Sequence, residues 1–337
     1  MTNIQRWVQF DGPRRASVHH APLPALEAGE VRVAVAYSAI SAGSELLFYR
    51  GDAPRESAID SSIGALAEQS HGYPVRYGYA CAGRIDAVGA QADKPRLGER
   101  VFVFHPHTSH ITATPDDLLP IPDHVPLARA ALLPNMETAV NFVMDGAPGI
   151  GERVAVFGLG VVGLLTTALL ARFPLTELTC IDPAAARREQ SLALGATRVA
   201  TPEDGLDNDF DLVYELSGRP AVLDDAIQTA GFSGRVVIGS WYGNKHAPLH
   251  LGGAFHRKRI RLLSSQVSTI DSRHLGRWDK ARRFDLAWQM LAELPLDGLI
   301  THRLPVEDAP AAYGLLDAGA PDVIQILLTY QAVTRNS

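Results

Sequence analysis

The sequence predicts an α/β protein of two domains, the first rich in β-strands and the second built of alternating strands and helices. The chain has 337 residues, which exceeds the size at which one hydrophobic core usually keeps growing. Short apolar runs in its first third are separated by Gly, Pro and Asp, whereas strand-like and helix-like runs alternate from residue 135 onward. Such alternation with short connections indicates a parallel sheet covered on both faces.

The first third predicts a small antiparallel domain. Residues 31–37 alternate between apolar and polar side chains, as a half-buried strand does. Residues 83–89 and 99–104 predict two further strands, with turn residues between them. Short strands joined by turns of this kind are typical of a barrel-like sheet.

The second region predicts a regular succession of strands and helices. The expected strands are 154–157, 177–181, 211–216 and 235–239, and the expected helices are 135–145, 161–173, 184–194 and 221–230. Beyond residue 265 the pattern loosens, and we expect helices at 284–294 and 310–318 and a last strand at 323–330.

Composition narrows the functional class. The chain is 46% hydrophobic and 20% charged, with a net charge of −6, so nothing draws it as a whole toward nucleic acid or an anionic membrane. Its longest apolar stretch, 154–171, is interrupted by glycines and threonines, and no secretory signal is recognised at its start. The two cysteines form no CxxC motif. We expect a cytoplasmic protein with a small-molecule substrate.

A glycine motif predicts a dinucleotide site. Gly158, Gly160 and Gly163 follow an apolar strand and open an apolar helix, and Asp182 closes the next strand. We expect Gly158 to allow the tight turn, Gly160 the approach of a pyrophosphate and Gly163 close helix packing. The first N–H groups of the helix, at Val161 and Val162, complete the phosphate site.

Asp182 indicates which dinucleotide binds. A carboxylate there accepts hydrogen bonds from ribose hydroxyls and repels a 2′-phosphate, so NAD(H) is expected in preference to NADP(H), which is not excluded. Arg187 and Arg188 could soften that preference, but we expect both on the solvent face of the next helix.

Along nearly its whole length, the chain resembles the medium-chain dehydrogenase/reductase superfamily. Within that superfamily it is most similar to the branch of bacteriochlorophyllide (2-hydroxyethyl) dehydrogenases. The resemblance implies a GroES-like β-barrel catalytic domain (1–134, completed by 266–337) and a Rossmann domain with a doubly wound parallel sheet (135–265). It also implies a substrate cleft between the domains and a homodimer formed through sheet edges. The segments that carry it are 39–45, 77–85, 97–101, 132–139 and 151–156.

The zinc ligands of this superfamily are replaced. Ser41 stands where a cysteine is usual, Tyr79 replaces the histidine of Gly-His-Glu, and Pro134 takes the third position. Zinc prefers thiolate, imidazole or carboxylate ligands, so we expect no zinc. His105, His107 and His110 lie close in sequence, but no further ligand has matching spacing, and histidines that line a cleft or face solvent are the favoured interpretation.

Without zinc another group must polarise the substrate oxygen. Tyr79, with a phenol that donates readily, is the first candidate, although a pocket-wall role is equally open. Ser41 in the adjacent loop could bond the substrate, beside Ser44 and Glu45. His107 has the best intrinsic pKa for acid–base work, although a structural role is favoured for it.

The resemblance also implies further coenzyme contacts. Thr138 matches a residue that contacts the nicotinamide amide, and Glu137 beside it could face substrate or solvent. Ser217, Gly239 and Ser240 follow predicted strands, at the edge where ligands of parallel sheets bind.

These observations predict an NAD(H)-dependent, zinc-independent oxidoreductase that interconverts an alcohol and a carbonyl compound. Two alternatives stay open. One is an NAD(P)H-dependent quinone or enoyl reductase that acts on an activated C=C bond, and the other is an inactive nucleotide-binding sensor or scaffold.

Overall fold

A computed structural model describes residues 4–54, 63–67, 72–92, 96–246 and 248–330. The chain forms two compact units, one made of Met1–Pro134 and Ile300–Ser337 and the other of Asn135–Leu299. The sequence placed the second division at residue 266, which is too early. Residues 266–299 join the second unit because their helix carries Arg283, which is fully buried and bonded to Glu137 of that unit.

The described residues form short elements throughout. The strands are β1 (Ile4–Gly12), β2 (Arg15–Pro22), β3 (Val31–Ala39), β4 (Cys81–Val88), β5 (Arg100–Val103), β6 (His110–Ala113), β7 (Leu119–Pro120), β8 (Arg153–Phe157), β9 (Glu177–Ile181), β10 (Arg198–Ala200), β11 (Phe210–Glu215), β12 (Ala230–Ile238), β13 (Arg261–Ser264), β14 (Ile300–Pro305) and β15 (Gln325–Thr329). The helices are α1 (Ala42–Arg50), α2 (Gly64–Ala67), α3 (Leu127–Ala130), α4 (Leu133–Gly146), α5 (Val161–Leu170), α6 (Ala185–Ala193), α7 (Val222–Thr229), α8 (Lys280–Glu293) and α9 (Ala309–Asp317).

The first unit is built around an antiparallel sheet. Its strands run in the order β14-β15-β3-β4-β5-β7, with β6 also paired to β3, while β1 and β2 form a separate hairpin. Only β14 and β15 pair in parallel within that sheet, as far as the described residues show. Along β3, Val31, Val33 and Val35 point into the core and join Leu47 of α1 and Tyr313 of α9 there. The alternation predicted for this strand therefore decides which side chains are buried.

The second unit contains a parallel sheet of six strands in the order β10-β9-β8-β11-β12-β13. The order reverses between β8 and β11, which is the position where dinucleotides bind in doubly wound sheets. The central strands β8, β9 and β11 are buried along nearly their whole length. Strands covered on both faces need such continuous apolar runs.

Several element boundaries differ from the sequence prediction, and the largest differences are in three elements. The helix expected at 284–294 begins at Lys280. The helix expected at 161–173 ends at Leu170, and a short turn follows before Pro174, which lacks the N–H that a continuing helix needs. The strand expected at 235–239 begins earlier, at Ala230. Among the described residues no helix is long and apolar enough to cross a membrane.

Candidate functional site

The turn between β8 and α5 depends on two glycines for its own shape. Gly158 has a φ of +91°, and a Cβ there would lie 2.5 Å from the Cα of Ser217. A Cβ on Gly163 would lie 2.0 Å from the carbonyl oxygen of Gly158. Side chains at either position would collide with main-chain atoms, so both glycines are needed whether or not a ligand binds.

Gly160 differs from these two glycines. It is the N-cap of α5, and no described atom lies within 4 Å of the Cβ that an alanine would place there. The space in front of this residue is therefore open. Val161 and Val162 form the first turn of α5, whose N–H groups have no partner inside the helix. Open space, N–H donors and a helix N-terminus together fit a pyrophosphate.

Asp182 lies between the glycine turn and the start of α6. One carboxylate oxygen accepts from Leu159 N at 2.8 Å and the other from Ala184 N at 2.9 Å. The residue is only 4% exposed. A carboxylate offers about four lone-pair sites, so Asp182 can brace the glycine turn and still accept from a ribose hydroxyl.

The two arginines of α6 fold back on Asp182, which corrects the expectation that they face solvent. Arg188 Nη1 donates to the carbonyl oxygens of Asp182 and Pro183 at 2.7 and 2.9 Å. Arg187 Nη1 lies 3.9 Å from the Asp182 carboxylate. Positive charge therefore lies beside the acid that the sequence predicts to bind the ribose.

The carboxyl ends of β11 and β12 are tied together by a buried acid. Glu215 ends β11, has no exposed surface and accepts from Ser217 N at 2.9 Å. It also accepts from the hydroxyls of Ser217 and Tyr242. Burial of the Tyr242 phenol and, after it, the charge of Glu215 raise the pKa of that phenol. Ser240 Oγ accepts from Gly218 N at 2.8 Å. These bonds fix both loops at the edge of the sheet where ligands bind.

Gly239 and Thr138 complete the predicted coenzyme contacts. A Cβ on Gly239 would lie 2.3 Å from the ring of Phe142, so this glycine is required by packing. Thr138 is half-buried on α4. Its neighbour Glu137 faces neither substrate nor solvent, because its carboxylate accepts from the buried Arg283 at 2.8 Å.

In the first unit the structure pairs Tyr79 with Ser44. The phenol oxygen lies 2.8 Å from Ser44 Oγ, and both side chains are half-buried. Ser44 Oγ also donates to the carbonyl oxygen of Ser41 at 3.3 Å. The Tyr79 ring meets Tyr77 edge-on with centroids 6.1 Å apart, and Tyr77 stacks on Phe48 of α1. Two hydroxyls are thus held together by one helix and its aromatic support.

Glu45 is the centre of a buried hydrogen-bond network behind this pair. Its carboxylate has no exposed surface and accepts from Ser41 N at 2.7 Å. It also accepts from the hydroxyl of Tyr313 and bonds to His107 Nε2 at 2.9 Å. Burial and this carboxylate hold the pKa of Tyr313 well above its ordinary value. The network therefore fixes the first turn of α1, which carries Ser44.

His107 is fully buried and both of its ring nitrogens have partners. Nε2 bonds to Glu45, and Nδ1 lies 2.7 Å from Ser38 Oγ, which in turn lies 2.7 Å from the hydroxyl of Tyr330. The ring fills the space under Gly78, where a Cβ would lie 2.6 Å from it. Its place is structural, beneath the turn that carries Tyr79.

Ser41 is also placed differently from the prediction. It is the N-cap of α1 and only 5% exposed, and its main-chain N–H and C=O bond to Glu45 and Ser44. Ser44, one helical turn later, is the serine that reaches Tyr79.

No family model matches the chain, whereas individual proteins do. It is 26% identical to 2-desacetyl-2-hydroxyethyl bacteriochlorophyllide A dehydrogenase of Rhodobacter capsulatus over 349 residues, covering 96% of this chain and 98% of that protein. It is 25% identical to (R,R)-butanediol dehydrogenase of Bacillus subtilis over 269 residues, covering 69% and 76% of the two chains.

Solved structures share the fold. The 2R,3R-butanediol dehydrogenase of Bacillus subtilis superposes with a TM-score of 0.78 at 21% identity, covering 97% of this chain and 100% of the other. An Escherichia coli alcohol dehydrogenase in complex with NADH gives 0.76 at 20% identity, over 97% and 100%. A Sinorhizobium meliloti dehydrogenase bound to NADP gives 0.75 at 17% identity, over 97% and 99%. The predicted fold class is confirmed.

The chain is an oxidoreductase that is similar to alcohol dehydrogenases in sequence and in fold. Curated relatives include dehydrogenases that are named for alcohol substrates, and two solved structures of the same fold hold NADH or NADP. The enzyme class predicted from the sequence, a dehydrogenase that acts on CH–OH or C=O groups, is thereby confirmed.

The three positions that the resemblance assigns to zinc ligands hold no thiolate, imidazole or carboxylate, which are the groups that zinc prefers. Ser41 is engaged through its main chain, the Tyr79 phenol bonds to Ser44, and Pro134 has no ligand atom in its side chain. Within the described ranges, no three His, Cys, Asp or Glu side chains are grouped to hold a metal ion. His105, His107 and His110 bond to three different partners.

The sequence placed Ser44 and Glu45 beside Ser41 without counting them among the site residues, and it did not point to Glu215. Ser44 carried a usable signal, since it lies three residues after the N-cap Ser41 and so on the same helical face. The partners of Glu45 could not be predicted, because His107 and Tyr313 are 62 and 268 residues away. Glu215 closes a predicted strand, at a position where the acid is read more easily as solvent-exposed.

Proposed function

We propose that the oxidoreductase interconverts an alcohol and a carbonyl compound with NAD(H) and without zinc. The observation that carries this proposal is the pair of hydroxyls, Tyr79 and Ser44, at 2.8 Å. The resemblance puts Tyr79 at the position where relatives bind the metal that polarises the substrate oxygen. A phenol is a hydrogen-bond donor that needs no metal.

The coenzyme would be held by the second unit. Gly160, Val161 and Val162 would bind the pyrophosphate, and Asp182 would accept from the adenosine ribose. Thr138, Ser217 and Ser240 would line the remaining part of the site. When bound, the nicotinamide supplies the hydride for reduction or takes it up in oxidation.

The protein's own task is the proton on the substrate oxygen. Ser44 can donate either to the Ser41 carbonyl oxygen or to Tyr79. When Ser44 donates to Tyr79, the phenol proton is free for a carbonyl oxygen, and it stabilises the negative charge that develops there during reduction. Both hydroxyls are half-buried, so water can restore the transferred proton through Ser44.

His107 would act by supporting this pair. Its bonds to Glu45 and Ser38 leave it no nitrogen for the substrate. We therefore assign it, with Glu45, the task of holding α1 and the Gly78–Tyr79 turn in place.

We also propose a homodimer in the cytoplasm. β10 and β13 are the end strands of the parallel sheet, and an end strand is a ready template for pairing with another copy. Sedimentation of the full chain measures the assembly directly, and a monomer at micromolar concentration would contradict it.

The coenzyme preference is tested by titrating the metal-analysed protein with NADH and with NADPH, following nicotinamide fluorescence. We expect NADH to bind more tightly than NADPH. We expect Asp182→Asn to lower the ratio of the two affinities by about tenfold, because the negative charge that repels the 2′-phosphate is removed. Tighter binding of NADPH by the natural protein would overturn the role of Asp182. It would favour a C=C reductase, with Arg187 and Arg188 as the phosphate contacts.

A further inference from the structure

One buried arginine of the second unit joins two helices. Arg283 of α8 has no exposed surface. Its Nε and Nη2 donate to Glu137 Oε1 at 3.1 and 2.8 Å, and its Nη1 donates to Asn141 Oδ1 at 2.6 Å. Glu137 and Asn141 are four residues apart on α4 and so share one helical face. The guanidinium therefore ties α8 to that face.

The same guanidinium also holds the segment that follows β13. Nη2 donates to the carbonyl oxygen of Val267 at 2.5 Å, and Nη1 donates to that of Thr269 at 3.3 Å. The start of this segment is fixed on α4 as well, because Asn141 Nδ2 donates to Ser265 Oγ at 3.0 Å. Residues 265–269 are thus shaped by bonds from α4 and from one side chain of α8.

The sheet order tells which half of a dinucleotide lies nearest this segment. The glycine turn after β8 takes the pyrophosphate, and the acid at the end of β9 takes the adenosine ribose. The sheet continues on the opposite side of β8 through β11, β12 and β13. The nicotinamide half therefore belongs over the carboxyl ends of those three strands, where residues 265–269 begin.

A buried ion pair is an expensive way to join two helices. Taking two charges out of water costs several kcal/mol, and apolar residues of similar volume often stabilise a protein as well or better. Burial raises the pKa of Glu137 even though Arg283 opposes that shift. An apolar pair, however, has no donor for the two main-chain carbonyl oxygens. In this geometry only the planar, forked guanidinium of an arginine supplies both donors.

We propose that Arg283 is a positioning residue for the nicotinamide half of the coenzyme. It gives residues 265–269 the shape that receives the nicotinamide ribose and ring, without touching the coenzyme itself. This inference rests on the proposed function, because it assumes that the site binds a nicotinamide dinucleotide.

The test compares NADH with ADP, which contains the adenosine and the pyrophosphate but neither the nicotinamide nor its ribose. Two variants, called clamp variants below, remove the bonds of Arg283 to the carbonyl oxygens of Val267 and Thr269. They are Arg283→Lys, which keeps the charge, and Glu137→Met/Arg283→Met, which keeps the buried volume. Arg282→Met is the matched control, since Arg282 is its exposed neighbour on α8. Binding is measured by calorimetry and folding by thermal unfolding.

We expect both clamp variants to bind NADH about tenfold more weakly, because a misplaced segment loses contacts with the nicotinamide half only. Their affinity for ADP stays within about twofold of that of the natural protein, and Arg282→Met changes the affinity for neither compound. Having two variants of different chemistry keeps the test decisive if one of them fails to fold.

Three results would overturn the inference. Unchanged NADH affinity in a folded clamp variant would show that the segment does not need Arg283. An equal loss of affinity for NADH and for ADP would show that the pair of Arg283 and Glu137 has only a structural role. If the natural protein bound neither compound, the proposed function itself would fail, which is a result distinct from the first two.

Discussion

The glycine turn of the second unit and the hydroxyl pair of the first are built in opposite ways. The turn is made by main-chain atoms, and it has its shape because Gly158 and Gly163 leave no side chain to collide with neighbouring carbonyls. The hydroxyl pair is made by side chains, and it is held by Glu45, whose bonds reach three separate parts of the chain. One site is local in sequence and the other is assembled over long distances.

The difference explains how each site responds to change. In the turn, an added methyl group lowers stability where it would collide with main-chain atoms, and it is tolerated where it would lie in open space. In the Glu45 network the cost of change comes from polar groups that would be left buried without partners. Four predictions examine that contrast, starting with the largest expected effect.

Glu45→Ala should destabilise the first unit by about 3–5 kcal/mol, because His107, Tyr313 and Ser41 N lose a common buried acceptor. Chemical denaturation measures the free energy of unfolding. The matched control is Glu307→Gln, whose side chain is half exposed in an ion pair with Arg6 and should cost at most about 1 kcal/mol. Equal effects of the two substitutions would show that the network contributes little.

Gly163→Ala should lower the free energy of unfolding by about 3 kcal/mol, since its Cβ would overlap the carbonyl oxygen of Gly158. Gly160→Ala is the control in the same turn. We expect it to leave the melting temperature nearly unchanged and to weaken NADH binding, because its methyl group occupies the space kept for the pyrophosphate. A stable Gly163→Ala protein, or a Gly160→Ala protein that binds NADH normally, would contradict this division of roles.

Tyr79→Phe should lower kcat for carbonyl reduction by about a hundredfold, since it removes the proposed donor to the substrate oxygen. NADH affinity and melting temperature should be unaffected, because the lost hydroxyl is half-buried. Tyr37→Phe, in β3 of the same unit, is the control and should retain full activity. A Tyr79→Phe enzyme with the kcat of the natural protein would show that Tyr79 only lines the pocket.

Glu152→Gln should cost about 1 kcal/mol at neutral pH. Glu152 and Arg235 form a two-point pair with contacts of 2.8 and 2.7 Å, which holds the pKa of the acid below its ordinary 4.5. An acid with a lowered folded-state pKa stabilises the protein above its ordinary pKa and loses that contribution as the pH falls. The gap between the two proteins should therefore shrink below about pH 4.5, and a constant gap would contradict the pairing.

The same difference between a local site and one assembled over long sequence distances explains which features the sequence could predict. The glycine turn, the strands on either side of it and Asp182 were predictable because their signals lie within 30 residues of one another. The bond between Ser44 and Tyr79 was only half predictable, because the sequence places Ser44 on the helical face of Ser41 but does not tell which distant turn that face meets. The burial of His107 between Glu45 and Ser38 likewise arises from contacts 62 and 69 residues apart.

The second domain boundary was misplaced for a related reason. Residues 266–299 have a loose pattern that carries no mark of the unit they join. Their place is decided by the bonds of Arg283 to Glu137 and Asn141, more than 140 residues earlier in the chain.

The central claim is hydride transfer without zinc. The most direct measurement is turnover of NADH with a panel of aldehydes and ketones, using protein treated with a chelator and checked for metal by mass spectrometry. We predict that the metal-free protein keeps its full rate with a responsive carbonyl substrate and that added zinc leaves the rate unchanged. Activity that disappears with the chelator and returns with zinc would contradict the account.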